Sequence, residues 1–262
     1  MKPTATGGES PARWLLIGNS RWHWATPAAN GGEILLRHTA PCREPLGDVA
    51  AGLFAWAAVG TVPAGLGLPA GSRLTLAEVP LAKAPPWLGI DRALAGWQAW
   101  RRSGGSVLVA DAGTVLSFSL VDGSGSFSGG RLMAGVSLQW RAMAAGTVAL
   151  PPLEAEGELP AGEPWPFATA AAMRSGVILG LAAAVALALE EAVAAEPECR
   201  LVLTGGDGTA LRGPLSRCLA GRGLAERLAW RPALALEALA ALAPAAESAP
   251  LADQARPRSA RI

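Results

Sequence analysis

Three short apolar segments open the chain, Trp14 to Ile17, Arg21 to Ala25 and Glu33 to His38, each bounded by Gly, Asn or Pro. That pattern predicts strands joined as hairpins. Leu46 to Val59 then shows helical spacing, Arg73 to Val79 reads as a strand, and Asp91 to Arg101 as a second helix. A similar opening returns with strands at Ser106 to Ala110, Val115 to Val121 and Ser126 to Met133, with turn residues at Asp122 to Gly125. Helical patterns follow at Val136 to Ala149 and Thr169 to Ala194, then a strand at Arg200 to Leu203 and helices near Thr209 to Leu219 and Ala233 to Ala243. Setting Gly18 against Gly113, an offset of 95 residues, aligns Leu15-Leu16-Ile17-Gly18-Asn19-Ser20 with Ala110-Asp111-Ala112-Gly113-Thr114. In both, an apolar strand runs into a glycine turn with a hydroxyl residue and then a second strand, as duplicated folds do. The expected domains are 13–104 and 105–247, with 1–12 and 248–262 disordered, since Ser248 to Ile262 has no periodic apolar pattern.

Composition narrows the class. Of 262 residues 51% are hydrophobic and 16% charged, mean hydropathy is +0.30 and the formal charge +1, enough apolar material for a full core. The longest uncharged apolar run, Gly176 to Leu189, has 14 residues, short of the roughly 18 to 20 that span a bilayer, so it predicts a buried helix. Met1 to Arg13 lacks an apolar signal core, and a cytoplasmic protein with no membrane partner is expected. Cys42, Cys199 and Cys218 lack CxxC spacing and only His23 and His38 could join them, which argues against structural zinc and a disulfide scaffold. No basic stretch marks a nucleic-acid binder. The two lysines, Lys2 and Lys83, lie outside any GxxxxGK[ST] context, so any ATP chemistry runs without a P-loop.

Candidate chemistry gathers at turns. Asp111-Ala112-Gly113-Thr114 ends a strand; there a glycine admits a phosphate to the backbone, successive N–H groups face its oxygens and a carboxylate can hold Mg²⁺. An ordinary Asp-Gly hairpin turn reads the same way. Gly18-Asn19-Ser20 is the equivalent turn, with Leu16 where the second half has its aspartate. Thr204-Gly205-Gly206-Asp207 joins a strand to a helix, a position where α/β proteins bind nucleotides, though a tight connection explains it equally. Gly89-Ile90-Asp91-Arg92 puts an acid beside a cation at a helix start, suited either to base catalysis on an anionic substrate or to favouring the helix dipole. Arg21 and His23 fall on one strand face, Trp22 and Trp24 on the other. Thr169 and Arg174 are the polar positions of a packing helix.

In this order the motifs resemble the type III pantothenate kinase family of the acetate and sugar kinase/Hsp70/actin superfamily. The resemblance rests on GNS at Gly18 to Ser20, GIDR at Gly89 to Arg92, DAGT at Asp111 to Thr114 and GG-x(4)-G at Gly129 to Gly135. It continues through T-x-x-L-P at Thr147 to Pro151, T-x-x-A-x-x-x-G at Thr169 to Gly176 and TGGD at Thr204 to Asp207. It implies an α/β protein of two tandem ribonuclease-H-like (actin-like ATPase) domains with a nucleotide cleft between them, and a homodimer. It implies transfer of phosphate from ATP to pantothenate, the first step of coenzyme A biosynthesis, with Mg²⁺ and K⁺ or NH₄⁺. By similarity Asp91 is the base; Gly89, Ile90, Asp91, Arg92 and Thr169 bind the acceptor, Thr169 across the dimer. Gly18, Asn19, Ser20, Gly113 and Thr114 cradle phosphates, Thr204, Gly205, Gly206 and Asp207 lie by the adenosine, and Asp111 holds metal. The sequence departs from the family pattern at Leu16 (aspartate), His23 (lysine), Ala82 (tyrosine) and Ala134 (proline). Two other readings stay open: a non-catalytic accessory or binding protein, motivated by Leu16, and a sugar or acid kinase of the same superfamily.

Overall fold

The computed structural model describes residues 12–28, 34–153 and 165–243; apart from Ala12, the two segments expected to be disordered lie outside these. Strands β1 (Trp14–Ile17), β2 (Trp22–Pro27) and β3 (Ile34–Thr39) form an antiparallel meander. A four-residue helix, α1 (Asp48–Ala51), precedes β4 (Ala55–Ala58), which joins the free edge of β1 in parallel. The first sheet therefore runs β3-β2-β1-β4. After α2 (Ile90–Ser103) the plan repeats: β5 (Val107–Ala112), β6 (Val115–Val121) and β7 (Phe127–Ala134) form a second meander. Helices α3 (Val136–Gly146) and α4 (Thr169–Ala195) lead to β8 (Arg200–Thr204), parallel to β5. Then come α5 (Gly208–Ala220), β9 (Leu228–Trp230) and α6 (Leu234–Leu242). The second sheet is β7-β6-β5-β8-β9, the first sheet's order with one strand added.

Two expectations fail, each for its own reason. The helix expected over Leu46 to Val59 is one turn, after which Ala55-Trp56-Ala57-Ala58 pairs with β1; an open sheet edge outweighs the weak preference of an alanine-rich segment. The strand expected over Arg73 to Val79 is a bridge at Arg73 followed by a 3₁₀ turn at Leu76–Glu78. There the Glu78 carboxylate accepts from the Thr75 N–H and hydroxyl at 2.7 and 2.8 Å, a capping box that sets the turn. Apart from β9, for which the sequence offers no strand pattern, the remaining strands and long helices fall within a few residues of their sequence patterns.

Helix α2 has a sequence built for its place. Ile90, Ala93, Leu94 and Trp97 are buried, Asp91 lies in its first turn and Arg101 and Arg102 in its last, charges that suit the helix dipole. Gly104 closes it in the left-handed region at φ 69°, donating its N–H to the Trp100 carbonyl at 3.0 Å. Its apolar face joins β1, β4, α6 and Val107 and Val109 of β5 in one core, so α2 is the wedge between the sheets. The last helix, α6, returns to pack on α2 and β1. Helix α4 has 27 residues and an 18-residue window of mean hydropathy 2.1, long and apolar enough by composition to cross a membrane. Half of that window is buried inside the protein, where Ile178, Leu181, Val185 and Leu189 meet α3, α5 and the second sheet.

Candidate active site

The two aligned turns meet. Gly18 donates its N–H to the Arg21 carbonyl at 3.1 Å, shaping the β1–β2 turn, and the Ser20 and Thr114 hydroxyls are hydrogen-bonded at 2.7 Å. Residues 94 apart in sequence thus tie the turns of the two halves together. Asn19 faces Gly60 just after β4, its Oδ1 3.6 Å from where a Gly60 side chain would start.

Asp111 stands on β5 beside the turn that follows β8. Gly205 of that turn has φ +89°, and a Cβ there would collide with Asp111 Oδ1 and the Ala112 carbonyl, so the close approach requires glycine. Asp207 ties the turn down by donating its N–H to Ala112 O at 2.8 Å. Packing around the Asp111 carboxyl pushes its pKa up to about 7, with the Asp91 charge adding to the shift. Burial also raises Asp207, against the opposing pull of Arg21.

Asp91 and Arg92 begin α2. Burial raises the Asp91 pKa, while Oδ1 accepts the Arg92 N–H at 2.8 Å and works the other way. The Arg92 side chain crosses to β6, donating from Nε to Ser119 Oγ at 3.2 Å and from Nη2 to Phe118 O at 3.1 Å, with its guanidinium 5.7 Å from the Phe127 ring. Gly130 of β7 makes room for it: a Cβ there would meet Arg92 Nη2 and the Phe118 carbonyl. Gly130 of the GG-x(4)-G motif therefore makes room for the GIDR arginine, while Gly135 lets the chain pass close to the Gly113 and Thr114 carbonyls.

The structure makes the three turns neighbours, Ser20 bonded to Thr114, Arg21 reaching toward Gly206 and Gly205 packed on Asp111 and Ala112, with Asp91 close enough to act on Asp111 electrostatically. Gly89 and Ile90 line an adjoining hollow of about 310 Å³ with Arg73, Thr75 and the exposed Trp87. Gly18 and Asn19 line a second of about 210 Å³ with Arg43 and Thr61. Thr169 is exposed at the start of α4 and has no hydrogen bond to the others among the described residues. Arg21, which the sequence places with His23 on one face of a hairpin, has its Nη1 3.6 Å from the Cβ position of Gly206. Sequence reasoning passed over Ser119, buried in a strand with no motif of its own.

Among the described residues no three His, Cys, Asp or Glu side chains cluster as a metal cage. The half-buried Asp111 carboxyl, with raised pKa and no cationic partner among the causes of that shift, fits a cation held mainly by phosphate and water, as Mg²⁺ usually is. Leu16 adds no ligand, since its side chain is 6% exposed and packs in the core with Ala57 and Leu94.

Two meander-led sheets of the same order, a wedge helix between them and glycine turns contributed by both halves define an α/β protein built from a repeated unit. A model of type III pantothenate kinase matches residues 74–191. The chain is 37% identical over 213 residues to the type III pantothenate kinase of Synechococcus elongatus, covering 75% of this chain and 85% of that one. It is 37% identical over 233 residues to that of Synechococcus sp. strain JA-3-3Ab, covering 87% and 91%. A solved structure, the ethanolamine utilization protein EutJ of Carboxydothermus hydrogenoformans, aligns at 15% identity and TM-score 0.48 over 91% of this chain and 90% of that one. The chain belongs to the type III pantothenate kinase family.

Proposed function

We propose that this protein transfers the γ-phosphoryl group of ATP to the terminal hydroxyl of pantothenate, giving ADP and 4′-phosphopantothenate at the start of coenzyme A biosynthesis in the cytoplasm. The observation that carries this reading is the convergence of Asp91, from α2, and Asp111, from β5, at a cleft whose glycine turns come from both halves. An alcohol is a weak nucleophile, so the reaction needs a positioned base, restrained phosphates and little water. Asp91 takes the hydroxyl proton, and burial moves its pKa toward the working pH. Arg92 is fixed by Ser119 and Phe118 through Nε and Nη2, and with Gly89 and Ile90 it orients the acceptor. The Gly18 to Ser20 turn and Gly113 and Thr114 border the phosphates, the Gly18 and Gly113 N–H groups being held by the Arg21 and Val115 carbonyls, and Thr204 to Asp207 border the adenosine. Asp111 holds Mg²⁺, which supplies charge neutralisation at the phosphates, and a monovalent cation, K⁺ or NH₄⁺, completes the charge balance.

A homodimer completes the acceptor pocket, with Thr169 of each copy serving the other. On α4, Gly176, Leu179, Gly180, Ala183 and Leu187 are exposed along one side, and Leu132 of β7 is 63% exposed. A face of small and apolar residues suits close packing against a second copy. The alternative, a non-catalytic binding protein, draws on Leu16, which puts core packing where a second carboxylate would assist metal binding. The deciding experiment is ADP release from MgATP and K⁺, with and without pantothenate, with a mass measurement of the product. Pantothenate-dependent turnover supports the kinase; a folded sample inert across Mg²⁺, Mn²⁺, K⁺ and NH₄⁺ selects the binding protein.

A further inference from the structure

Cross-strand pairing places Leu16, His23 and His38 side by side in one row across β1, β2 and β3. His23 Nδ1 and His38 Nδ1 are 2.8 Å apart, with the rings edge to face, while His23 Nε2 lies 3.5 Å from the Cβ position of Gly18. We propose that His38 is a positioning residue that fixes His23 as its Nε2–H tautomer, aiming that N–H past Gly18 at the phosphate chain of the nucleotide. This rests on the kinase reading only in the identity of the ligand, an oligophosphate at the Gly18–Ser20 turn.

Hydrogen-bond bookkeeping forces the tautomers apart. A bond between two Nδ1 atoms needs one proton and one lone pair, so two neutral rings must be opposite tautomers. If His23 carried the Nδ1 proton, its Nε2 lone pair would face the turn and repel an anion. If His38 carries it, His23 presents Nε2–H, a donor to phosphate oxygen. The exposed His38 ring loses nothing by this choice, because water serves its Nε2 either as donor or acceptor. Neutrality is set by the surroundings. His23 has the aliphatic Leu16 on β1, His38 on β3 and the cation Arg21 on its own hairpin. No acid appears among the groups that shift it, so burial, His38 and Arg21 all press its pKa down, to about 4. His38 is lowered by burial and by Arg21. Leu16 and His23 thus act together: a carboxylate at residue 16 would sit beside His23 and favour its charged form, whereas leucine keeps the ring neutral and directional.

The chain has two histidines, so ¹⁵N-detected imidazole spectra contain two ring systems to assign, each by the loss of its signals in His23→Ala or His38→Ala. The full-length protein is titrated with inorganic tripolyphosphate and, separately, with ATP without acceptor. The expected result is His23 with a protonated Nε2 and His38 with a protonated Nδ1, and a shift of the His23 Nε2–H on adding either ligand. His38→Ala should weaken both ligands about tenfold, the scale of one hydrogen bond to a charged group. His38→Gln, which retains a side-chain N–H donor, should recover most of that, and His23→Ala/His38→Ala should be no worse than His23→Ala. A protonated Nδ1 on His23 in the bound state, or affinities unchanged in folded His38→Ala, overturns the proposal. None of these readouts requires turnover: oligophosphate binding with the His23 signature in a protein inert toward pantothenate would remove the kinase reading and leave this one standing.

Discussion

Asp91, the proposed base, and Asp111 owe their raised pKa values to where α2 and β5 put them. Asp91→Asn keeps the carbonyl oxygen that caps the Arg92 N–H and removes the proton acceptor. Steady-state kinetics should show kcat lower by about 10² to 10⁴, the usual contribution of general base catalysis, with ATP affinity by calorimetry little changed. Asp111 makes a stability prediction with a definite sign. Its folded pKa of about 7 lies above the unfolded value of 3.8, so between these pH values the folded state holds a proton that the unfolded chain has lost. Ionising this half-buried group therefore costs stability as pH rises from about 4 to about 7, with no further loss above. His23, lowered from 6.5 to about 4, acts in the opposite direction over part of that range, so the difference between variants isolates the aspartate. The Tm of ligand-free Asp111→Asn minus that of the parent should grow from pH 4 to pH 7 and then level off; a pH-independent difference would place the carboxyl in solvent. Asp91 and Asp111 were legible in the sequence as motif members, but their mutual influence was not, since they stand 20 positions apart with most of α2 between them.

At the scale of elements, the glycines of β7 and of the turn after β8 decide whether the site is assembled. Gly130→Ala would drive a methyl group against the Phe118 carbonyl and Arg92 Nη2. The strand must shift or Arg92 must leave Ser119, a cost of about 1 to 3 kcal/mol by analogy with overpacked cores. Chemical denaturation should report that loss, with a rise in KM for pantothenate from the released guanidinium; wild-type stability would mean that β7 gives way without strain. The GG-x(4)-G spacing was visible from the start, yet its use was hidden because the atom it spares belongs to α2. The helix expected over Leu46 to Val59 went wrong at this scale too. Ala55 to Ala58 is a strand only because β1 offers a free edge, something local propensity does not contain.

For the whole molecule, the Ser20–Thr114 hydrogen bond and the wedge of α2 join the halves around the cleft. The exposed side of α4 is its outer counterpart. Leu179→Glu with Leu187→Glu places two charges on that side, and light scattering should show the proposed dimer becoming a monomer with circular dichroism unchanged. Turnover should fall with it, because in the proposed dimer Thr169 of one copy serves the other. A dimer that survives both charges would locate the interface elsewhere. Burial gives α4 a second use: Leu189 is fully buried against α5 and the second sheet, so Leu189→Ala should cost about 2 to 5 kcal/mol in urea unfolding, as large cavities do.

By itself the sequence determined the two meanders, the long helices and the turn motifs. These depend on interactions within a few residues: apolar spacing along an element, an acid in the first turn of α2 and Gly104 at its end. Tertiary structure alone decided β4 and β9, which have 4 and 3 residues and exist by joining an existing sheet. It likewise decided the meeting of Ser20 with Thr114, of Arg92 with Ser119 and of His23 with His38. Each of these is a short-range force between residues distant in the chain, and no local pattern encodes such a distance until the sheets and the wedge helix have set it.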